Sequence, residues 1–244
     1  MKPTNPLPEL TRKLAAIEPA AVLIGEDGGW IQTHGGTLGV QLIDAARAST
    51  TTPPPPIVER DTDDIAFMML TSGVSGEPKV AMLSHGNLDA AQRAISTEVE
   101  GGLSPDDITL GSLPVAHIFG LNAVLLTSLR VGAKIILERR FDLLGSLELV
   151  REHQITVLAG APPMWRLWSM TDAAEGTFDS VRVALSGAAA LPSDVFNDMR
   201  DRHGVVVEEG YGLTETSSVL TTCRGGEVRP GSVGRSVPGI EMVL

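Results

Sequence analysis

A chain of 244 residues can bury a sizeable core, and 43% apolar content with only 4% aromatics suits an α/β protein better than a disordered or fibrous one. The net charge of −11 argues against nucleic acid or an anionic membrane as the main partner, since both demand a positive field. Cys223 is the only cysteine, so there is no intramolecular disulfide framework, and a reducing cytoplasm is the expected compartment. No apolar signal segment opens the sequence, and the longest apolar stretch, 121–129, is too short to span a bilayer and is interrupted by Asn122, Thr127 and Ser128.

Taken in chain order, short β-branched runs predict strands at 21–25, 65–70, 80–83, 108–112, 134–137, 156–159, 181–185 and 205–208. Most are continuous rather than alternating, as expected for strands covered on both faces. Ser84 is placed to cap a helix with Leu88, Ala91, Ile95 and Val99 near one face. Asp142 is placed to cap a second, with Leu143, Leu144, Leu147 and Val150 inward. A third opens near Pro192, buries Val195, Phe196 and Met199, and stops at Gly204. Strands alternating with helices predict a layered α/β fold with a largely parallel sheet. Residues 50–64, with four consecutive prolines followed by an acidic run, read as a semi-rigid connector, either a boundary between domains or, as the short stretch before it favours, a surface crossing inside one domain.

The stretch 70–85, LTSGVSGEPKVAMLSH, carries the most chemistry. Glycines let backbone N–H groups turn toward an anion, hydroxyls add donors, and Lys79 supplies charge, which together meet the needs of a polyphosphate. A Walker loop is rejected by spacing: Pro78 precedes Lys79, and Val80 stands where Ser or Thr is required. No GxGxxG fingerprint is present. A Ser/Gly-rich turn without chemistry is the competing reading of the loop taken alone.

The order of motifs decides between them. The loop resembles the TSGTTGxPKGVxxSH signature of the adenylate-forming superfamily of acyl-CoA synthetases, luciferases and adenylation domains. LPVAHIFGL (113–121), TVLAGAPPMW (156–165), ALSGAAALP (184–192), EGYGLTET (209–216) and GSVGRSVPG (231–239) follow in family order. The resemblance implies that Thr71, Ser72, Gly73, Ser75, Gly76 and Lys79 cradle the β- and γ-phosphates of ATP. It also implies that Gly187, Ala188 and Ala189 approach the adenine, with Glu209, Gly210, Tyr211 and Gly212 as the opposite wall. Thr214 then contacts the α-phosphate and Glu215 holds Mg²⁺, with a helix beginning near Thr214. His117 is assigned to the acyl site, while Trp165 and Trp168 read as core. The catalytic set is thus Lys79, Thr214, Glu215 and His117. The loop departs from the signature at Val74, where a hydroxyl is usual, and at Val80, where glycine is usual.

The fold so implied is an incomplete N-terminal domain of the acetyl-CoA-synthetase-like type, over residues 1–230, with 231–244 opening a small β-rich subdomain. The implied activity is ATP-dependent activation of a carboxylic acid, fatty or aryl, to an acyl-adenylate and then an acyl-CoA. ATP or AMP, Mg²⁺ and coenzyme A are the cofactors and co-substrates, with no nucleic acid and no membrane span. The superfamily's ribose-binding Asp in an STGD-like motif and its C-terminal catalytic lysine are not found here, so the expectation is a piece that binds nucleotide but is inactive alone. Self-association through exposed edges is expected. The alternative is a non-catalytic, nucleotide-binding or regulatory remnant.

Overall fold

The computed structural model describes residues 6–28, 31, 36, 38–47, 53, 56–72 and 78–243. They fall into two compact units, Met1–Met82 and Leu83–Leu244. In the first, helix α1 (Leu7–Ile17) starts after Pro6 with a second proline in its first turn, where the missing N–H costs nothing. Leu10 and Leu14, one turn apart, turn the same face inward and pack with Ile24 and Ile31. Strand β1 (Ala21–Ile24) runs parallel to β2 (Gln41–Asp44), and β3 (Ile65–Ser72) pairs with β4 (Pro78–Ser84). Neither α1 nor β2 was anticipated from the sequence, whereas β1, β3 and β4 were. Ile65, Phe67 and Met68 on β3 are exposed, contrary to the expectation of a strand covered on both faces.

The second unit is built on a seven-stranded sheet. Parallel strands β5 (Ile108–Gly111), β6 (Lys134–Leu137), β7 (Val157–Gly160), β8 (Val183–Ser186) and β9 (Glu208–Tyr211) lie in the order β6-β5-β7-β8-β9. Two antiparallel strands, β10 (Thr221–Thr222) and β11 (Arg235–Ser236), extend the β9 edge. Every residue of β7 is buried, as an all-apolar central strand requires. Helix α2 (His85–Ser96) opens on a reciprocal cap between Ser84 and Asn87. Helix α4 (Leu143–His153) is capped by Asp142, whose carboxylate accepts the Gly145 N–H at 2.7 Å. Between them Phe119–Leu126 winds as a π-helical stretch that runs directly into α3 (Thr127–Val131). Helices α5 (Pro162–Met170) and α6 (Ser193–His203) complete the layer, and Gly204 ends α6 at φ +69°.

Three sequence expectations need correction. Leu144 is 68% exposed rather than inward, because the inward face of α4 is Ser146, Leu147 and Val150. Val99 lies beyond α2, which ends at Ser96; Leu88, Gln92, Ala94 and Ser96 are its buried residues. The strand expected at 205–208 starts instead at Glu208: Val205 and Val207 enter the core, but ladder pairing begins with Glu208 opposite Leu185. That slip places the EGY segment on a strand end.

Trp165 and Trp168 are fully buried, with their rings edge to face at 4.9 Å, and join Leu110, Leu158, Val195, Met199 and Val207 in one core. The N-terminal ends of three strands are fastened by Asp107. Its carboxylate accepts from Arg182 Nε at 2.7 Å, from Thr156 Oγ1 at 2.7 Å and from Ser104 N–H at 2.7 Å. Arg182, Thr156 and Asp107 itself stand immediately before β8, β7 and β5.

Candidate functional site

In an open parallel sheet, ligands collect outside the carboxyl ends of the strands. Here β7, β8 and β9 share that edge, and each delivers one sequence motif to it. Strand β8 ends at Ser186 and continues into Gly187, Ala188 and Ala189. Gly187 is buried and the two alanines are exposed. Ala188 holds φ +73°, a left-handed conformation that costs a β-carbon-bearing residue free energy.

Glu209 ties this loop to β9. Its side chain is buried, and its two oxygens accept the Leu191 N–H at 2.9 Å and the Gly231 N–H at 3.1 Å. The carboxylate is therefore engaged with the protein's own backbone, and it holds the 187–191 loop beside Tyr211. The Tyr211 side chain is 45% exposed, while its backbone is fixed by the Leu220 N–H at 2.8 Å and Thr221 Oγ1 at 3.2 Å. After Gly212 the chain makes a single 3₁₀ turn, Thr214–Thr216, in place of the helix expected there. Glu215 on that turn is exposed and Thr214 half-buried. A β-carbon on Gly212 would sit 1.3 Å from the Ser218 carbonyl oxygen, so only glycine allows the turn to fold back this tightly.

The 113–121 segment joins the same edge. The Phe119 ring lies against Gly187, where a β-carbon would come within 3.2 Å of it. His117 is exposed. Trp165 is fully buried and its indole N–H is shared between the carbonyls of Gly160 at 3.0 Å and Leu185 at 3.2 Å, so it braces β7 against β8. Cys223 is buried too; burial raises its thiol pKa, and it donates to the Ser232 carbonyl at 3.2 Å.

The residues from the phosphate loop divide differently. Gly73, Ser75 and Gly76 lie outside the described residues. Thr71 and Ser72 end β3, and Lys79 is exposed near the start of β4. Among the described residues no group of three or more His, Cys, Asp or Glu could hold a metal by itself. A lone exposed carboxylate such as Glu215 fits a Mg²⁺ that arrives on phosphate oxygens and keeps its waters, as this ion prefers.

A profile described as AMP-binding enzyme matches residues 4–244. The chain belongs to the AMP-binding enzyme family. Relatives by sequence include the 4-coumarate--CoA ligase 1 of Oryza sativa subsp. japonica, 35% identical over 75% of this chain, and the 4-coumarate-CoA ligase 1 of Narcissus pseudonarcissus, 34% identical over 75%. The match spans only 34% and 35% of those proteins, so this chain covers about a third of the length of the curated relatives it matches. The crystal structure of ATP-bound MatB from Rhodopseudomonas palustris superposes with a TM-score of 0.84 at 28% identity, over 98% of this chain and 49% of that one. A malonyl-CoA ligase ternary product complex with methylmalonyl-CoA and AMP bound gives 0.82 at 28%, over 96% and 50%. Among the described residues of this family member, no helix is long and apolar enough to cross a membrane.

Two features were not read from the sequence. One is the clamp made by Glu209, whose carboxylate the family pattern points at the ligand. The other is Asn122, fully buried yet hydrogen-bonded from both ends of its amide. Its signal was present as a polar residue inside the longest apolar stretch, since buried polar groups are almost always partnered.

Proposed function

We propose that this chain binds ATP and AMP at the carboxyl edge of β7–β9, as the nucleotide-binding portion of an enzyme that activates a carboxylic acid and passes it to coenzyme A. The observation that carries the reading is the Glu209 clamp, which brings the 187–191 loop alongside Tyr211 on β9. A flat base could then lie between the backbone of Gly187–Ala189 and the exposed Tyr211 ring. Thr71, Ser72, Gly73, Ser75, Gly76 and Lys79 are proposed for the β- and γ-phosphates, and Thr214 for the α-phosphate. Glu215 would hold Mg²⁺, which when bound screens the triphosphate charge that repels an incoming carboxylate.

In the reaction proposed for the whole enzyme, a carboxylate oxygen of the acid bonds to the α-phosphorus as the bond to pyrophosphate breaks, giving an acyl-adenylate. A thiolate then attacks the acyl carbon and AMP leaves with the bonding pair. Lys79 stabilises charge on the departing pyrophosphate, and Thr214 donates to the α-phosphate. For this chain the proposal is nucleotide binding. The 113–121 segment, with exposed His117 and with Phe119 against Gly187, is proposed to face a fatty or aryl acid. Residues 231–244 are proposed to open a small β-rich subdomain; β11 is antiparallel where β5–β9 are parallel.

Calorimetry tests the reading. The unsubstituted chain is expected to bind ATP with Mg²⁺ and, separately, AMP. Lys79→Met and Glu215→Gln should each weaken ATP about tenfold, the size of one lost charge-assisted contact, with AMP little changed. No binding of either nucleotide at millimolar concentration would sink the proposal and favour a remnant without nucleotide chemistry.

A further inference from the structure

The turn carrying Thr214 and Glu215 is held mostly by itself. The N–H groups of Thr216 and Ser218 donate to the Leu213 carbonyl at 3.3 and 3.2 Å, and that of Ser217 donates to the Thr214 carbonyl at 3.2 Å. Thr216 Oγ1 accepts the Leu213 N–H at 3.0 Å. Ser217 and Ser218 follow at φ +59° and +108°, values that serine rarely holds. A short turn ending in two such residues needs an outside hold to stay in one geometry.

That hold is Asn122. Its Nδ2 donates to the Ser217 carbonyl at 2.7 Å, and among the described residues this is the hydrogen bond that reaches residues 213–218 from another element. Its Oδ1 accepts from Gln92 Nε2 on α2 at 2.7 Å. Gln92 thereby fixes which way the amide points, because a flipped Asn122 would set Nδ2 against a donor and Oδ1 against the Ser217 carbonyl. The Asn122 carbonyl in turn accepts from Thr127 Oγ1 at 2.7 Å, anchoring the residue within its π-helical stretch, a geometry often found at functional sites. Asn122 and Ser217 are both almost fully buried, so water does not substitute for a lost partner.

We propose that Asn122, oriented by Gln92, is a positioning residue that holds the Thr214–Glu215 turn ready for the metal–triphosphate. It also couples that turn to the π-helical stretch opening at Phe119, in which it lies. The inference rests on the nucleotide-binding reading above and adds residues that touch no ligand.

Two variants test it. Gln92→Leu removes the group that orients the amide, and Asn122→Asp keeps the shape while replacing the donor aimed at Ser217. Hydrogen exchange on the ligand-free chain reads the tether alone: in both variants the Ser217 and Ser218 amides should exchange about tenfold faster or more, while the amides of β7 and β8 keep their protection. Calorimetry then reads its consequence: ATP with Mg²⁺ should weaken about tenfold, as expected for one buried bond, and AMP, which keeps the Thr214 contact but not the metal, by less than ATP. Folded variants with unchanged exchange at Ser217 and Ser218 overturn the tether. Equal weakening of ATP and AMP, or none, overturns the positioning role. If the unsubstituted chain binds neither nucleotide, the binding proposal fails and takes the positioning role with it. The exchange experiment still decides the tether.

Discussion

Replacing Asp107 by asparagine should destabilise the sheet unit while leaving its ligand edge untouched. Burial alone would raise the pKa of this carboxyl. Its hydrogen bonds from Arg182, Thr156 and Ser104 overcome that and bring it down from 3.8 to about 2. The difference corresponds to roughly 2–3 kcal/mol of stability at neutral pH. The Asp107 side chain is 2% exposed but Arg182 is 40% exposed, so solvent screens part of the attraction and ~2 kcal/mol is the better figure. The substitution keeps the shape but not the hydrogen bonding: an amide N–H₂ in place of Oδ2 would face the Ser104 N–H, adding about 1 kcal/mol.

The sign follows from the direction of the shift. A carboxyl whose folded pKa is depressed contributes fully above the unfolded value of 3.8, and loses that contribution as pH falls through about 2. Urea unfolding followed by tryptophan fluorescence suits the measurement, because Trp165 and Trp168 are buried in this unit. At pH 7 the midpoint of Asp107→Asn should lie about 1 M below that of the unsubstituted chain. The gap should narrow as pH falls from about 4 to about 2. A gap that is absent at neutral pH, or that is the same at neutral pH and near the folded pKa, would refute the assignment of stability to this carboxylate. Nucleotide affinity of the folded variant should be unchanged, since Asp107 sits at the opposite ends of the strands from Gly187 and Tyr211.

Gly212→Ala should lower the affinity for both ATP and AMP by at least about tenfold in calorimetry, because its β-carbon would overlap the Ser218 carbonyl and force the turn open. Trp168→Ala removes a fully buried ring that meets Phe141 at 5.3 Å and donates to Ser146 Oγ at 2.9 Å; urea unfolding should show a loss of about 3–5 kcal/mol.

Much of the fold was legible because the strands announce themselves as short, largely apolar runs at 108–111, 134–137 and 157–160, and helix ends are well marked at Asp142 and Gly204. What was missed has physical causes. Helix α1 carries two prolines that look like breakers but fall in its cap and first turn. The slip at 205–208 arose because Val205 and Val207 are buried without belonging to the ladder, so apolarity and strand pairing part company there. The π-helical stretch has no sequence rule that distinguishes it from an α-helix. At the candidate site, the motifs name residues but not the partners their side chains take. Glu209 reads as a ligand group, yet its carboxylate is committed to two backbone N–H groups, and no spacing rule reports where a carboxylate's partners will lie.

Backbone strain among the described residues gathers at the carboxyl edge of the sheet, where the nucleotide site is proposed. Five non-glycine residues among those described have positive φ: Glu18, Gln154, Ala188, Ser217 and Ser218. Glu18 and Gln154 end helices, where a left-handed residue satisfies orphaned carbonyls and is commonplace. The other three all follow β8 or β9, in the loops that carry Gly187–Ala189 and Thr214–Glu215. Of four buried side-chain atoms without a hydrogen-bond partner among the described residues, Ser186 Oγ and Ser218 Oγ lie in these same segments, while His203 Nε2 and Arg224 Nη2 do not. The opposite ends of the strands show the reverse, with Asp107 accepting from three neighbours. Strain and unsatisfied polar groups cost stability, and they persist where the surrounding structure holds them for another purpose. Here the hold is visible in named bonds: Glu209 to Leu191 on one loop, Asn122 to Ser217 on the other.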